Sequence, residues 1–203
     1  MTRISLNTMT LSTSTLAICA LALALAACSR EAAPPIEANV ADANVAQANA
    51  GVAAAPQTFA LNGGDGAAMG NVILSEDPNG VTIKIDASGL PAGAHGVHLH
   101  EKGLCEGPKF ASAGGHWNPG GKQHGRDNVM GAHLGDLANL EVAAGGGGST
   151  SLLVAGVTIS GAGGLADADG TSLVIHAKPD DYKTDPSGDS GDRISCAVVA
   201  GGN

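Results

Sequence analysis

Beyond residue 57 the chain nowhere sustains a helical period. Short apolar runs take its place, each cut by glycine, proline, asparagine or aspartate. Val81-Thr82-Ile83-Lys84-Ile85-Asp86 shows the pattern plainly: apolar and polar residues alternate, the period of a strand with one buried face. Asp77-Pro78-Asn79-Gly80 ahead of it reads as a hairpin turn. By these signals strands lie at 58–61, 69–75, 81–87, 94–100, 136–142, 151–154, 173–177 and 194–200. With 31 Gly but only two Phe, one Tyr and one Trp, the core must come from Val, Ile and Leu carried on those strands. Two connections, about 101–135 and 178–193, are far too long for turns, and loops of that length in a compact domain usually serve function. The expectation is an all-β, eight-stranded Greek-key β-barrel or sandwich with two long functional loops.

Composition removes several function classes. Aromatics at 2% leave no stacking platform for bases, and a net charge of −9 repels polyanions, so no nucleic-acid partner is expected. The first segment, 1–27, reads as a signal peptide: a polar start with Arg3, then an apolar run from 16 to 27 that is too short to span a bilayer. Leu25-Ala26-Ala27-Cys28 resembles a bacterial lipobox, which makes Cys28 the lipidation residue and the lipid the chain's sole expected membrane contact. An ordinary secretory signal is the plainer alternative. Residues 28–56 then form the lipidated Cys and a tether rich in Ala and Asn, too poor in large side chains to offset their ordering entropy. The domain proper is expected over 57–203, in the bacterial cell envelope, facing the periplasm and anchored to the outer membrane.

All seven His fall between His95 and His176. His98 and His100 stand at i and i+2 on an expected strand, so their imidazoles project from one face. His116, His124, His133 and Asp136 follow in the long loop, and His176 ends a late strand. A lone His is more often a surface or satisfied core residue, but this grouping argues for metal. Imidazole suits copper and zinc, and three His with a carboxylate suit tetrahedral zinc. The spacing admits two metals without assigning them.

Five segments in order now carry a resemblance: HGVHLHE (95–101), SAGGHWNP (112–119), HLGDLAN (133–139), LVIHAKPDD (173–181) and SGDRISC (190–196). Together with the spacing His-x7-His-x8-His-x2-Asp over His116, His124, His133 and Asp136, they resemble the signature blocks of copper/zinc superoxide dismutases, over nearly all of 57–203. The resemblance implies one copper on His98, His100, His116 and His176, and one zinc on His116, His124, His133 and Asp136. His116 would then bridge the metals and carry a catalytic proton. It further implies that Asp180 links a copper ligand to a zinc ligand, that Cys105 and Cys196 form a disulfide, and that Arg193 guides the substrate, superoxide. His95 takes a packing role, and a homodimer is compatible with the family, whose bacterial members differ in assembly.

Departures fall beside the site. Trp117 stands where the family usually has Phe or Tyr, and the acidic DYKTDPSGDSGDR (181–193) resembles the bacterial branch, putting Asp189 and Asp192 near Arg193. Lys178 is the expected second guiding cation. The rival from another class is a periplasmic copper/zinc-binding buffer protein on the same scaffold. Such a protein needs neither Arg193 nor a His116 shared between two complete ligand sets.

Overall fold

The alternation read in the sequence becomes sheet structure almost residue for residue. The computed structural model describes residues 55–201, which fall within one unit, Ala48–Asn203. The leader 1–27, Cys28 and the tether as far as residue 54 lie outside the described residues. Among the described residues nine strands occur: β1 (Gln57–Gly63), β2 (Ala68–Asp77), β3 (Gly80–Ala87), β4 (Gly93–His95), β5 (Val97–His100), β6 (Leu140–Val142), β7 (Gly148–Ala155), β8 (Gly170–His176) and β9 (Arg193–Gly201). Helical structure among them is a single 3-10 turn at Ala111–Ala113. Seven strands form one curled antiparallel sheet in the order β5-β8-β9-β1-β2-β3-β7, and β4 with β6 makes a two-stranded ribbon. This is the all-β Greek-key barrel architecture that the sequence led one to expect.

β3 shows how the sequence specifies its register. Val81, Ile83 and Ile85 are fully buried, while Thr82, Lys84 and Asp86 between them are not. A slip of one residue against β2 would invert every side chain. The register is pinned by the β2–β3 hairpin, where Asp77 pairs with Gly80 and the Asp77 carboxylate accepts the Asn79 N–H at 2.7 Å. Gly80 is required there: its φ is 145°, and a Cβ would sit 2.2 Å from the Val154 carbonyl. The core is then aliphatic, with Leu61, Val72, Leu74, Leu99, Leu173 and Ile175 fully buried. Each such side chain contributes roughly 1.5–3 kcal/mol.

Two expected strands are corrected. The run 94–100 is broken at Gly96 into β4 and β5, which belong to different sheets. At the break, Gly96 donates to the Lys178 carbonyl and accepts from His176 N–H, both at 2.8 Å, and a Cβ would meet Ser190 at 2.9 Å. The chain therefore changes sheet where it passes under the late loop, raising the strand count from eight to nine. The run 136–142 pairs as a strand only from Leu140, because Asp136 and its neighbours are drawn into loop contacts.

The long loop after β5 is sewn back to the sheet. Cys105 and Cys196 form a disulfide with Cα atoms 5.7 Å apart. Around it, Phe110, Ala113, Val174 and Cys196 make a small buried cluster separate from the main core.

Candidate metal centre

β5 has both faces buried, and that is what makes a site. Val97 and Leu99 enter the main core, so the strand period turns His98 and His100 outward, beneath the two loops. The strand and two segments of the long loop are locked to one another by a triangle of backbone bonds. Leu99 N–H donates to the Gly135 carbonyl, Gly135 N–H to the Trp117 carbonyl, and Trp117 N–H to the Leu99 carbonyl, at 2.8–2.9 Å. Each corner adjoins site residues: His98 and His100, His116, and Asp136. Gly135 has no room for a side chain, since a Cβ would lie 2.5 Å from the Leu99 carbonyl and 3.1 Å from Trp117 N. Trp117 itself is buried against the main core.

The side chains converge in two sets. His98, His100, His116 and His176 present ligand atoms that all lie within 4.8 Å of one another. Three of their nitrogens, His98 Nδ1, His100 Nε2 and His176 Nε2, are buried without any hydrogen-bond partner. Orphaned buried polar atoms are costly, and three aimed together are a metal cradle by their chemistry. In each ring the other nitrogen is engaged: His98 Nε2 with Asp180 at 2.9 Å, His100 Nδ1 with the Gly114 carbonyl at 3.0 Å, and His176 Nδ1 with the Gly191 carbonyl at 3.1 Å. Those contacts orient the rings and leave a lone pair on the inward nitrogen.

In the second set, Nδ1 of His116, His124 and His133 lie 2.9, 3.0 and 3.1 Å from the same oxygen, Asp136 Oδ1. One carboxylate oxygen cannot accept three such bonds with good geometry. His133 Nδ1 is also 3.3 Å from His116 Nδ1, a close approach that a shared cation would satisfy. Asp136 Oδ2 accepts the backbone N–H groups of Gly125 and His133, at 2.8 and 3.0 Å, which fixes the carboxylate. His98 lies near this set as well, but its Nε2 is taken by Asp180. The imidazole of His116 belongs to both sets.

Asp180 ties the sets together, accepting from His98 Nε2 at 2.9 Å and His124 Nε2 at 3.0 Å. Gly188, at φ 65°, roofs this pair; a Cβ there would run into Asp180 and come within 2.7 Å of His124 Nε2. Asn139 clamps the Asp180 backbone from both sides, at 2.9 and 3.0 Å. Tyr182 OH in turn accepts the Asn139 N–H, at 2.9 Å, and Arg126 stacks on the Tyr182 ring at 3.7 Å. Neither Asn139 nor Tyr182 was picked out from the sequence, although Asn139 lies inside one of the five motif blocks.

Electrostatics divide the rings into two kinds. Burial pushes His100 down to about 2 and His176 down to about 3, and it lowers His98 against the pull of Asp180. Burial likewise takes His116 down to about 4, opposed by its bond to Asp136. His124 goes the other way: burial disfavours its charge, but Asp136 and Asp180 together lift it to about 9. Both carboxylates lie well below the usual range, because their hydrogen bonds from imidazole and backbone outweigh burial. The first set is thus neutral and ready to ligate at neutral pH.

A cavity of about 360 Å³ reaches this centre, lined by His116, His133, His176, Pro186, Gly191 and Arg193 among others. Arg193 pairs with His176 across β8 and β9. Its guanidinium donates to the Phe110 and Gly114 carbonyls, at 2.7 and 2.6 Å. Among the described residues it forms no ion pair, so Asp189 and Asp192 do not neutralise it. A second cavity of about 630 Å³ shares Arg193 and adds Lys109. That cavity also holds Asp192, and the Lys178 methylenes pack near Gly191, which lines both cavities. His95 is a packing residue, its ring nitrogens 2.7 and 2.8 Å from the His176 and Pro91 carbonyls.

An antiparallel barrel carrying an imidazole set and an imidazole–carboxylate set that share one ring has the ligands to hold two metals. The family model for copper/zinc superoxide dismutase matches residues 68–199. A Cu-Zn superoxide dismutase of Caulobacter vibrioides is 42% identical over 146 residues, covering 70% of this chain and 84% of the relative. A second Cu-Zn enzyme, from Aquifex aeolicus, is 44% identical over 138 residues, or 66% of this chain and 81% of its own length. Among solved structures, a SOD-like protein from Bacillus subtilis superposes with a TM-score of 0.67 at 40% identity, covering 70% of this chain and 97% of that one. The chain belongs to the copper/zinc superoxide dismutase family, and it is an enzyme of that class.

Proposed function

We propose that this protein converts two superoxide ions and two protons to oxygen and hydrogen peroxide at a centre with copper on His98, His100, His116 and His176 and zinc on His116, His124, His133 and Asp136. The observation that carries this reading is the trio of orphaned nitrogens, His98 Nδ1, His100 Nε2 and His176 Nε2, at a cavity walled by Arg193. Copper held there would supply a one-electron redox couple, and zinc held by the second set would supply a fixed positive charge beside His116.

The chain's own residues do the rest. Arg193, held by two carbonyls and free of acidic partners, presents an unneutralised cation to a small anion. His116 Nδ1 faces Asp136 on the zinc side, so with a metal engaged there Nε2 would be the nitrogen that takes up and releases the proton. Asp136 and Asp180 keep the rings in register and stay ionised throughout. Superoxide consumption by protein loaded with both metals tests the reading. Stoichiometric copper and zinc without turnover would sink it and leave a metal-buffer role.

The proposed setting is the periplasmic side of the outer membrane, through a lipid on Cys28 after removal of residues 1–27. A disulfide persists in such an oxidising compartment, which supports the assignment. Among the described residues no helix is long and apolar enough to cross a membrane. Wild type should partition with membranes and Cys28→Ala should not; a soluble wild type with an unmodified N-terminus would refute the anchor.

A further inference from the structure

One peptide group in the long loop serves both halves of the site. The Gly114 carbonyl lies 3.0 Å from His100 Nδ1 and accepts from Arg193 Nη2 at 2.6 Å. The first contact fixes the proton of His100 on Nδ1 and leaves Nε2 as the inward lone pair, and the second seats the anion-facing cation. A carbonyl oxygen has two lone pairs, and here each has a partner. Wherever this peptide moves, a metal ligand and the guanidinium move with it.

The Gly114 N–H closes the preceding turn on the Ala111 carbonyl at 3.2 Å, but that bond does not fix the Gly114–Gly115 peptide itself. Gly114 has φ 75° and ψ −153°, a conformation open essentially to glycine alone, so local sterics leave it free to rotate. The restraint comes from Glu101. Its carboxylate Oε1 accepts the Gly115 N–H at 3.0 Å, and its backbone N–H donates to the Gly115 carbonyl at the same distance. Its side chain also lies against the outer side of the turn: a Cβ on Gly114 would meet Glu101 Oε1 at 2.6 Å and Cγ at 2.8 Å. Glu101 itself is exposed, and among the described residues its side chain forms no ion pair.

We propose that Glu101 is a positioning residue for the dismutation site: by clamping the Gly114–Gly115 turn it sets, through one carbonyl, both the donor atom of His100 and the seat of Arg193. The inference rests on the function proposed above. What it requires of residue 101 is reach and an acceptor oxygen, not charge.

Two conservative variants separate reach from charge. Glu101→Gln keeps the length and an acceptor oxygen but removes the charge. Glu101→Asp keeps the charge but falls one methylene short. Positioning predicts that Gln resembles wild type and that Asp resembles Glu101→Ala. In copper- and zinc-loaded protein, azide titrated against the copper absorption should bind about three- to tenfold more weakly to the Asp and Ala variants, equivalent to losing one ordinary hydrogen bond. Their copper electron paramagnetic resonance spectra should shift as His100 turns, at unchanged metal stoichiometry. Independently of any metal, Gly115 amide exchange should quicken in Asp and Ala but not in Gln. If Asp follows wild type while Gln follows Ala, residue 101 acts through its charge and the positioning role is overturned; four indistinguishable proteins overturn it equally. A wild type that binds both metals yet fails to consume superoxide defeats the functional reading instead, and the amide-exchange comparison still decides whether the clamp exists.

Discussion

Breaking the Cys105–Cys196 bond is the perturbation whose size follows most directly from the structure. The bond closes a loop of 91 residues, and the chain-entropy model assigns a closure of that length ~4.6 kcal/mol. Native disulfides commonly deliver somewhat less, about 2–4 kcal/mol. At roughly 2–4 °C per kcal/mol for a domain of this size, reduction should lower Tm by roughly 4–16 °C. Replacing Cys196 would confuse the measurement, because the residue is fully buried beside Phe110 and Val174, and a new side chain would add a packing cost. The cleaner comparison is metal-free wild type melted with and without a phosphine reductant, followed by circular dichroism, with thiol titration to verify reduction. A second readout follows from the same cluster. Phe110, packed on the disulfide, offers its carbonyl to Arg193 at 2.7 Å, so reduction should also weaken azide binding to metal-loaded protein severalfold. Melting curves that coincide within about 2 °C after complete reduction would refute the entropic argument.

The two ligand sets should separate by mutation: His176→Ala should lose copper and activity while keeping most zinc, and Asp136→Ala should lose zinc first, both by metal analysis. Arg193→Ala at full copper loading should be several-fold slower than wild type and less sensitive to salt, because exposed attraction is screened over ~10 Å at 0.1 M; equal rates and equal salt slopes would exclude it as the guiding cation. Stability of the metal-free protein should depend on pH from both sides. His100, His176 and His116 have folded values of about 2, 3 and 4, below the unfolded 6.5, so the unfolded chain binds protons first and stability falls as pH drops from 6.5 toward 4. His124, raised to about 9, contributes fully below 6.5 and loses its contribution as pH rises through 9. Urea unfolding across pH 4–10 should therefore show a maximum near neutrality, and a monotonic profile would contradict these assignments.

Much of this molecule is legible in one dimension because its information is local. The alternation in 81–86 decides which side chains of β3 enter the core, and Asp77 to Gly80 decide where the chain reverses. The period of two also dictates that His98 and His100 share a face, whatever lies opposite. The spacing of the histidines admitted two metals, and the family resemblance of the motif blocks implied which residues belong to each. Other features depend on groups far apart in sequence. The run 94–100 divides at Gly96, where the backbone N–H and C=O are taken by Lys178 and His176, far along the chain. Arg193 is free of Asp189 and Asp192, its nearest charges in sequence, because the carbonyls of Phe110 and Gly114 reach it first. Lys109, from the other loop, shares a cavity with Arg193 although 84 positions separate them in sequence. The backbone triangle of Leu99, Trp117 and Gly135 has no sequence signal, since amide N–H and C=O groups are the same in every residue. Side-chain types and their periods told which chemistry was available. Where each backbone carbonyl points was decided by the packing of two loops on one sheet.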